Sequence, residues 1–122
     1  MVPIQIKRIY EPASPADGKR ILVDRLWPRG MSKESAQIDL WPKELTPSTA
    51  LRRWFHQDDA MESRWDEFRT RYRVELETQS QAIITLRELL KKQSLTLLTA
   101  AKNMQYNHAT FLRELLLDEL DE

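Results

Sequence analysis

Three stretches of the chain are apolar without helical spacing, and they mark its strands. In residues 4–10, Ile4, Ile6 and Ile9 stand among Lys7 and Arg8, which reads as a first strand. Residues 20–26 carry Ile21-Leu22-Val23, and residues 95–100 carry Leu95-Thr96-Leu97-Leu98-Thr99-Ala100. A nearly continuous apolar run suits a strand covered on both faces. The segment 11–18 between the first two runs holds Pro12, Pro15 and Asp17-Gly18, so it reads as a loop ending in a turn.

Elsewhere the spacing is helical. Met61, Trp65, Phe68, Tyr72 and Leu76 recur at steps of three and four, an apolar stripe on one face. Asp59 and Glu62 have capping-box spacing, so Asp58 or Asp59 is expected to cap that helix. Thr46 and Pro47 predict the cap and first position of a helix over 47–56. A further helix is expected over 80–92, with Ala82, Leu86, Leu89 and Leu90 inward and Lys91 and Lys92 at its carboxyl end. The last helix is expected to start between Met104 and Asn107 and end near Leu120, with Phe111, Leu112, Leu115 and Leu116 as its core face.

Residues 27–45 are irregular, punctuated by Trp27-Pro28, Gly30 and Trp41-Pro42. Ser32 can cap a short helix over 33–37. A connection of about 20 residues is long for a compact domain, and such loops often carry function.

Strand, strand, helices, strand, helix is an α/β order. The expected fold is a single compact domain over residues 1–122, a small and mainly parallel sheet flanked by helices. The strands at 20–26 and 95–100 are its expected parallel neighbours.

Composition narrows the chemistry. The 122 residues carry 19 Lys plus Arg and 19 Asp plus Glu, so bulk charge does not drive binding to nucleic acid or to a membrane surface, though a local basic patch stays open. Cysteine is absent, which removes disulfides, thiolate metal sites and thiol nucleophiles, and fits a reducing cytoplasmic setting. With two histidines and no cysteine, no metal or cofactor is expected. No apolar run is long enough to span a membrane, and residues 1–10 lack the apolar core of a secretion signal. The two glycines, Gly18 and Gly30, cannot spell a dinucleotide fingerprint, a P-loop or a nucleophile elbow.

In open α/β sheets, ligands bind beyond the carboxyl ends of the strands. The end of the strand at 20–24 delivers Asp24, Arg25, Trp27 and Arg29. The end of 95–100 delivers Lys102 and Asn103, followed by Asn107 and His108 at a helix start. Parallel neighbours would bring these groups together beside a helix amino terminus, which favours an anion. Arginine forks bind phosphate or carboxylate in two-pronged fashion.

Each residue also has a purely structural reading. Asp24 and Arg25 could pair with neighbours at a strand end, and Trp27 and Trp41 could be packing. His108 could be a satisfied group at a helix start, and Arg29 and Lys102 ordinary loop cations. His56-Gln57-Asp58-Asp59 reads as a helix end followed by a cap. Arg52, Arg53, Arg64, Arg69, Arg71 and Arg73 stand among acids and read as solvated helix faces.

The block Asp17-Gly18-Lys19-Arg20-Ile21-Leu22-Val23-Asp24-Arg25-Leu26-Trp27-Pro28-Arg29-Gly30 is similar to the signature of the DUF488 proteins, in particular their small YeaO-like branch. Trp41-Pro42-Lys43-Glu44-Leu45, Trp54-Phe55-His56, Phe68-Arg69-Thr70-Arg71-Tyr72, Ala101-Lys102-Asn103 and Asn107-His108-Ala109 follow in the same order, so the resemblance covers essentially the whole chain. It implies a compact α/β domain of the bacterial or archaeal cytosol and names no activity. Some relatives carry a MarR-type regulator label. A winged helix-turn-helix needs a recognition helix and a hairpin wing, and the strand order here reads otherwise. Longer relatives carry a Cys-His pair where this chain has Asn107-His108, so thiol chemistry does not transfer.

Three functions stay open on the sequence. The leading one is an enzyme or enzyme-like pocket for a small, phosphate-containing anion. In it Arg25, Arg29 and Lys102 clamp the anion, His108 is acid or base, and Asp24 orients it or is itself the base. Asn103 and Asn107 position the ligand and Trp27 covers it. The second is a nucleic-acid-binding or regulatory module, and the third a protein-interaction domain whose polar cluster is structural.

Overall fold

The computed structural model describes residues 4–118. The strands are β1 (Ile4–Arg8), β2 (Lys19–Leu22) and β3 (Leu95–Thr99). The helices are α1 (Lys33–Ala36), α2 (Thr49–His56), α3 (Met61–Leu76), α4 (Ser80–Leu90) and α5 (His108–Asp118). The last helix was expected to end near Leu120, which lies outside the described residues.

Among the described residues the sheet has three strands in the order β1-β3-β2, all parallel. Leu97 sits opposite Ile6 on one side and Ile21 on the other. The α/β expectation and the pairing of β2 with β3 both hold, and the small sheet is wholly parallel.

Side-chain alternation along β2 and β3 builds two cores. Ile21, Val23, Leu95 and Leu97 face a large cluster supplied by α2 to α5, including Phe55, Phe68, Tyr72 and Phe111. The Phe55 and Phe68 rings stack at 4.0 Å. Leu22 and Leu98 face the other way and pack with Ile9, Ala36, Trp27, Met31, Ile38 and Trp41. Both faces are therefore covered, which is why these strands read as continuous apolar runs.

The second face is covered by residues 27–45, and this segment is fastened to the sheet. Leu22 N–H donates to the Leu40 carbonyl at 3.0 Å, and Asp39 N–H donates to the Arg20 carbonyl at 2.8 Å. The buried Arg20 guanidinium donates twice to the Ala36 carbonyl, at 3.1 and 2.8 Å, and pairs with Asp17. Ser32 caps α1 as expected, its side chain accepting from Ser35 N–H.

Asp17 anchors the amino-terminal end of the sheet. Its carboxylate accepts from Lys7, Arg20 and Ser14 N–H, and its carbonyl from the Thr96 hydroxyl. Burial pushes its carboxyl up, but the Ser14 N–H and the two cations outweigh this and hold it below its usual value. Gly18 follows at φ +63°, where a Cβ atom would come within 2.2 Å of the Ser94 carbonyl oxygen, so only glycine fits.

Element ends differ from expectation where capping competes. The cap of α2 is Ser48, not Thr46: the Ser48 hydroxyl oxygen accepts from Leu51 N–H and donates to Glu75 of α3. Glu75 also accepts from Ser48 N–H, so the long helix fixes where the shorter one begins. The residue preceding α3 is Ala60, with no side-chain cap, so neither Asp58 nor Asp59 occupies the cap position. The strands stop short at Arg8, Leu22 and Thr99, because the backbone beyond β2 and β3 turns away to form the candidate site.

Candidate functional site

Asp24 leaves the end of β2 and reaches across to the end of β3. One carboxylate oxygen accepts from the Thr99 hydroxyl at 2.7 Å and lies 2.8 Å from His108 Nε2. The other accepts from Ala100 N–H at 2.7 Å. Burial alone pushes the Asp24 carboxyl up. The hydrogen bond and charge of His108, with the Ala100 N–H and Thr99 hydroxyl, win and hold it below the usual carboxylate range. An ionised carboxylate only accepts, so Nε2 of His108 carries the proton and Nδ1 is the nitrogen left for a ligand.

A cleft of about 380 Å³ opens over this pair. Asp24, Arg25, Trp27, Arg29 and His108 all line it, so the two strand ends converge on one space. Arg25 donates from Nε to the Pro47 carbonyl at 3.2 Å and from an Nη to the Thr46 carbonyl at 3.4 Å. Its charge is thereby fixed at the entrance of α2. Trp27 donates to the Met31 carbonyl at 2.7 Å and meets Trp41 edge-on at 5.5 Å. Trp41 donates to the Asp24 carbonyl at 2.7 Å, which ties the irregular segment to the site's backbone.

Lys102, Asn103 and Asn107 sit outside this lining. Lys102 is exposed. The Asn103 side chain accepts from Gln105 and Tyr106 N–H, both at 2.9 Å, and Asn107 accepts from Thr110 N–H at 3.0 Å and donates to the Asn103 carbonyl. Both carboxamides thus build the turn that launches α5 and sets His108 as its first residue.

Arg52, read from the sequence as part of a solvated helix face, and His56, read as a helix end, also line the cleft. They are four apart on α2 and so share a face. That spacing was readable, but which face of α2 meets the strand ends is decided by packing. Partial burial lowers the His56 pKa, and His108 and Arg52 lower it further, against a small opposing pull from Asp24.

Among the described residues no group of three or more His, Asp or Glu side chains is placed to hold a metal ion. None of their helices is long and apolar enough to cross a membrane.

Comparison with known proteins places the chain in a family. The chain is 49% identical to "Uncharacterized protein YeaO" of Escherichia coli K12 over 113 residues, covering 93% of this chain and 96% of that protein. It is 39% identical to "Uncharacterized protein Rv3073c" of Mycobacterium tuberculosis H37Rv over 113 residues, covering 93% and 92%. "Uncharacterized protein Mb3100c" of Mycobacterium bovis matches to the same extent. No solved structure matches the chain. A family model, DUF488-N3i, described as the inactive DUF488-N3 subclade, matches residues 3–122, and the chain belongs to that family.

Proposed function

We propose that the cleft at the carboxyl ends of β2 and β3 binds a small phosphate-bearing anion. The observation that carries this is the charge of the lining: Arg25, Arg29, Arg52, His56 and His108 against one carboxylate, Asp24, whose oxygens already take three hydrogen bonds. In a chain of zero net charge that imbalance is local and points at an anion. Arg25 supplies a fixed charge, Arg29 and Arg52 stand exposed at the rim, and His108 offers Nδ1 while Asp24 holds its ring.

Binding without turnover is the better reading. Of the two hydroxyls in the lining, that of Tyr10 donates to the Arg29 carbonyl and that of Thr99 to Asp24, a carboxylate held below its usual pKa by three hydrogen bonds and so a weak base for activating a nucleophile. The family's description as inactive agrees with this. A second reading, acid–base catalysis by His108, is favoured by the Asp24–His108 bond, which resembles the orienting carboxylate–histidine pair of hydrolases.

Thermal melting against inorganic phosphate, pyrophosphate and nucleoside monophosphates tests the binding reading. A ligand at one hundred times its Kd adds about 2.7 kcal/mol of stability. A rise in Tm that disappears in Arg29→Ala/Arg52→Ala protein supports the cleft. A flat panel moves the weight to a protein-interaction domain with a structural polar cluster. Consumption of a bound ligand, lost in His108→Gln, supports the catalytic reading instead.

A further inference from the structure

The cleft does not end at Arg52 and His56. A second, more open recess shares Leu26, Arg52 and His56 with it and continues along α2 past Thr49, Arg53, Trp54 and Gln57. Its volume, about 930 Å³, is far more than a free phosphate group needs. Across both recesses the lining holds four arginines, at 25, 29, 52 and 53, and two histidines; Asp24 is its one carboxylate and there is no lysine or glutamate. Arg52 and Arg53 make no ion pair with a described carboxylate. Two large apolar side chains are exposed at the mouth, Leu26 at 62% and Tyr10 at 44%, with the Arg8 guanidinium 5.2 Å from the centre of the Tyr10 ring.

From this we infer that the ligand is the phosphorylated end of a single-stranded nucleic acid, its terminal phosphate in the cleft and the following nucleotides along the recess on α2. The inference rests on the anion reading of the cleft and names the ligand class. A single strand repeats its charge along its length, which matches arginines spread over two joined recesses rather than gathered at one point. Its bases have apolar faces that can lie on exposed Leu26 and on the side of the Tyr10 ring away from Arg8. A peptide carrying one phosphate would use the cleft and leave Arg53 without a partner. The zero net charge of the whole chain is no obstacle, because the field that matters is the one at the groove.

The test is fluorescence anisotropy with hexathymidylate bearing a 5′-phosphate and a 3′ label, with thymidine monophosphate, unphosphorylated hexathymidylate and a singly phosphorylated hexapeptide as competitors. The 5′-phosphorylated strand should bind about tenfold or more tightly than the mononucleotide, and lose affinity steeply with added salt. Removing the phosphate should weaken the strand. Arg53→Glu, at a position that lines only the outer recess, should weaken the strand at least fivefold or so and leave the mononucleotide unchanged. Equal binding of strand and mononucleotide, untouched by Arg53→Glu, would overturn the inference and leave the cleft reading standing. A phosphopeptide that binds as well as the strand would also overturn it. If neither strand nor mononucleotide binds, the cleft reading falls and takes this one with it.

Discussion

His108 and Asp24 lie 84 positions apart in the chain and 2.8 Å apart in the fold. Their contact joins the first turn of α5 to the end of β2, and through Thr99 and Ala100 to the end of β3. One carboxylate therefore fixes the relative position of three elements at the place where the cleft opens.

Asp24→Asn should cost about 2–3 kcal/mol in urea unfolding, because it leaves polar partners of a largely buried acceptor short of a charge-assisted bond. Asn presents one acceptor and one NH₂ donor where two acceptors are needed, so at least one of His108, Thr99 or the Ala100 N–H loses its bond. An unchanged midpoint would mean the pair is not formed in solution.

The acid limb of stability should follow the same group. Asp24 and Asp17 both have carboxyls held below their usual value near 3.8. The unfolded state then binds protons first, so their stabilisation is complete above the unfolded pKa and is lost as pH falls through the lower folded values. Unfolding measured from pH 6 to pH 2.5 should show stability falling below about pH 4, with a shallower fall in Asp24→Asn protein.

Anion binding should couple to His56. Its depressed pKa leaves it mostly neutral near pH 7, held so by burial, His108 and Arg52. A bound anion favours the protonated ring, so affinity should rise as pH falls from 8 to about 5.5. Sulfate is the probe to use, since its own charge does not change over that range. His56→Gln should flatten the rise; a pH dependence unchanged in that variant would place the proton elsewhere.

Gly18→Ala should be among the most damaging single-methyl additions. The residue has φ +63° and ψ −136°, and a Cβ atom would overlap the Ser94 carbonyl at the entry to β3. A loss of roughly 3 kcal/mol or more is expected from strain and displacement together, measured by thermal or chemical unfolding. A loss under about 1 kcal/mol would show that the turn relaxes freely.

Much of this was readable in the chain, for reasons that differ by residue. Leu22 and Leu98 sit in nearly continuous apolar runs because both sheet faces are covered, and β2 and β3 are neighbours as expected. Asp24, Arg25, Trp27, Arg29 and His108 were legible because they follow strand ends or open a helix, where parallel sheets gather side chains. Within the Asp17-to-Gly30 block, the first half proves to be a brace at the opposite end of the sheet: Asp17 and Arg20 pair with each other and hold the segment at Ala36. Sequence adjacency hid that division. Arg52 and His56 read as a solvated face and a helix end because helix periodicity gives a face and not its neighbour. Asn103 and Asn107 stand near the site in sequence, but short carboxamides at a helix start are captured by backbone N–H groups. Ser48 displaced Thr46 as a cap because Glu75, far along the chain, reaches it.

The central claim, an anion held in this cleft, is tested most directly by titrating isotopically labelled protein with pyrophosphate and following its backbone amide resonances. Saturable shifts are expected at residues 24–29, 52–56 and 99–101 and at His108, weakened in Arg29→Ala/Arg52→Ala protein. Absent shifts, or shifts centred on another face of the molecule, would contradict it.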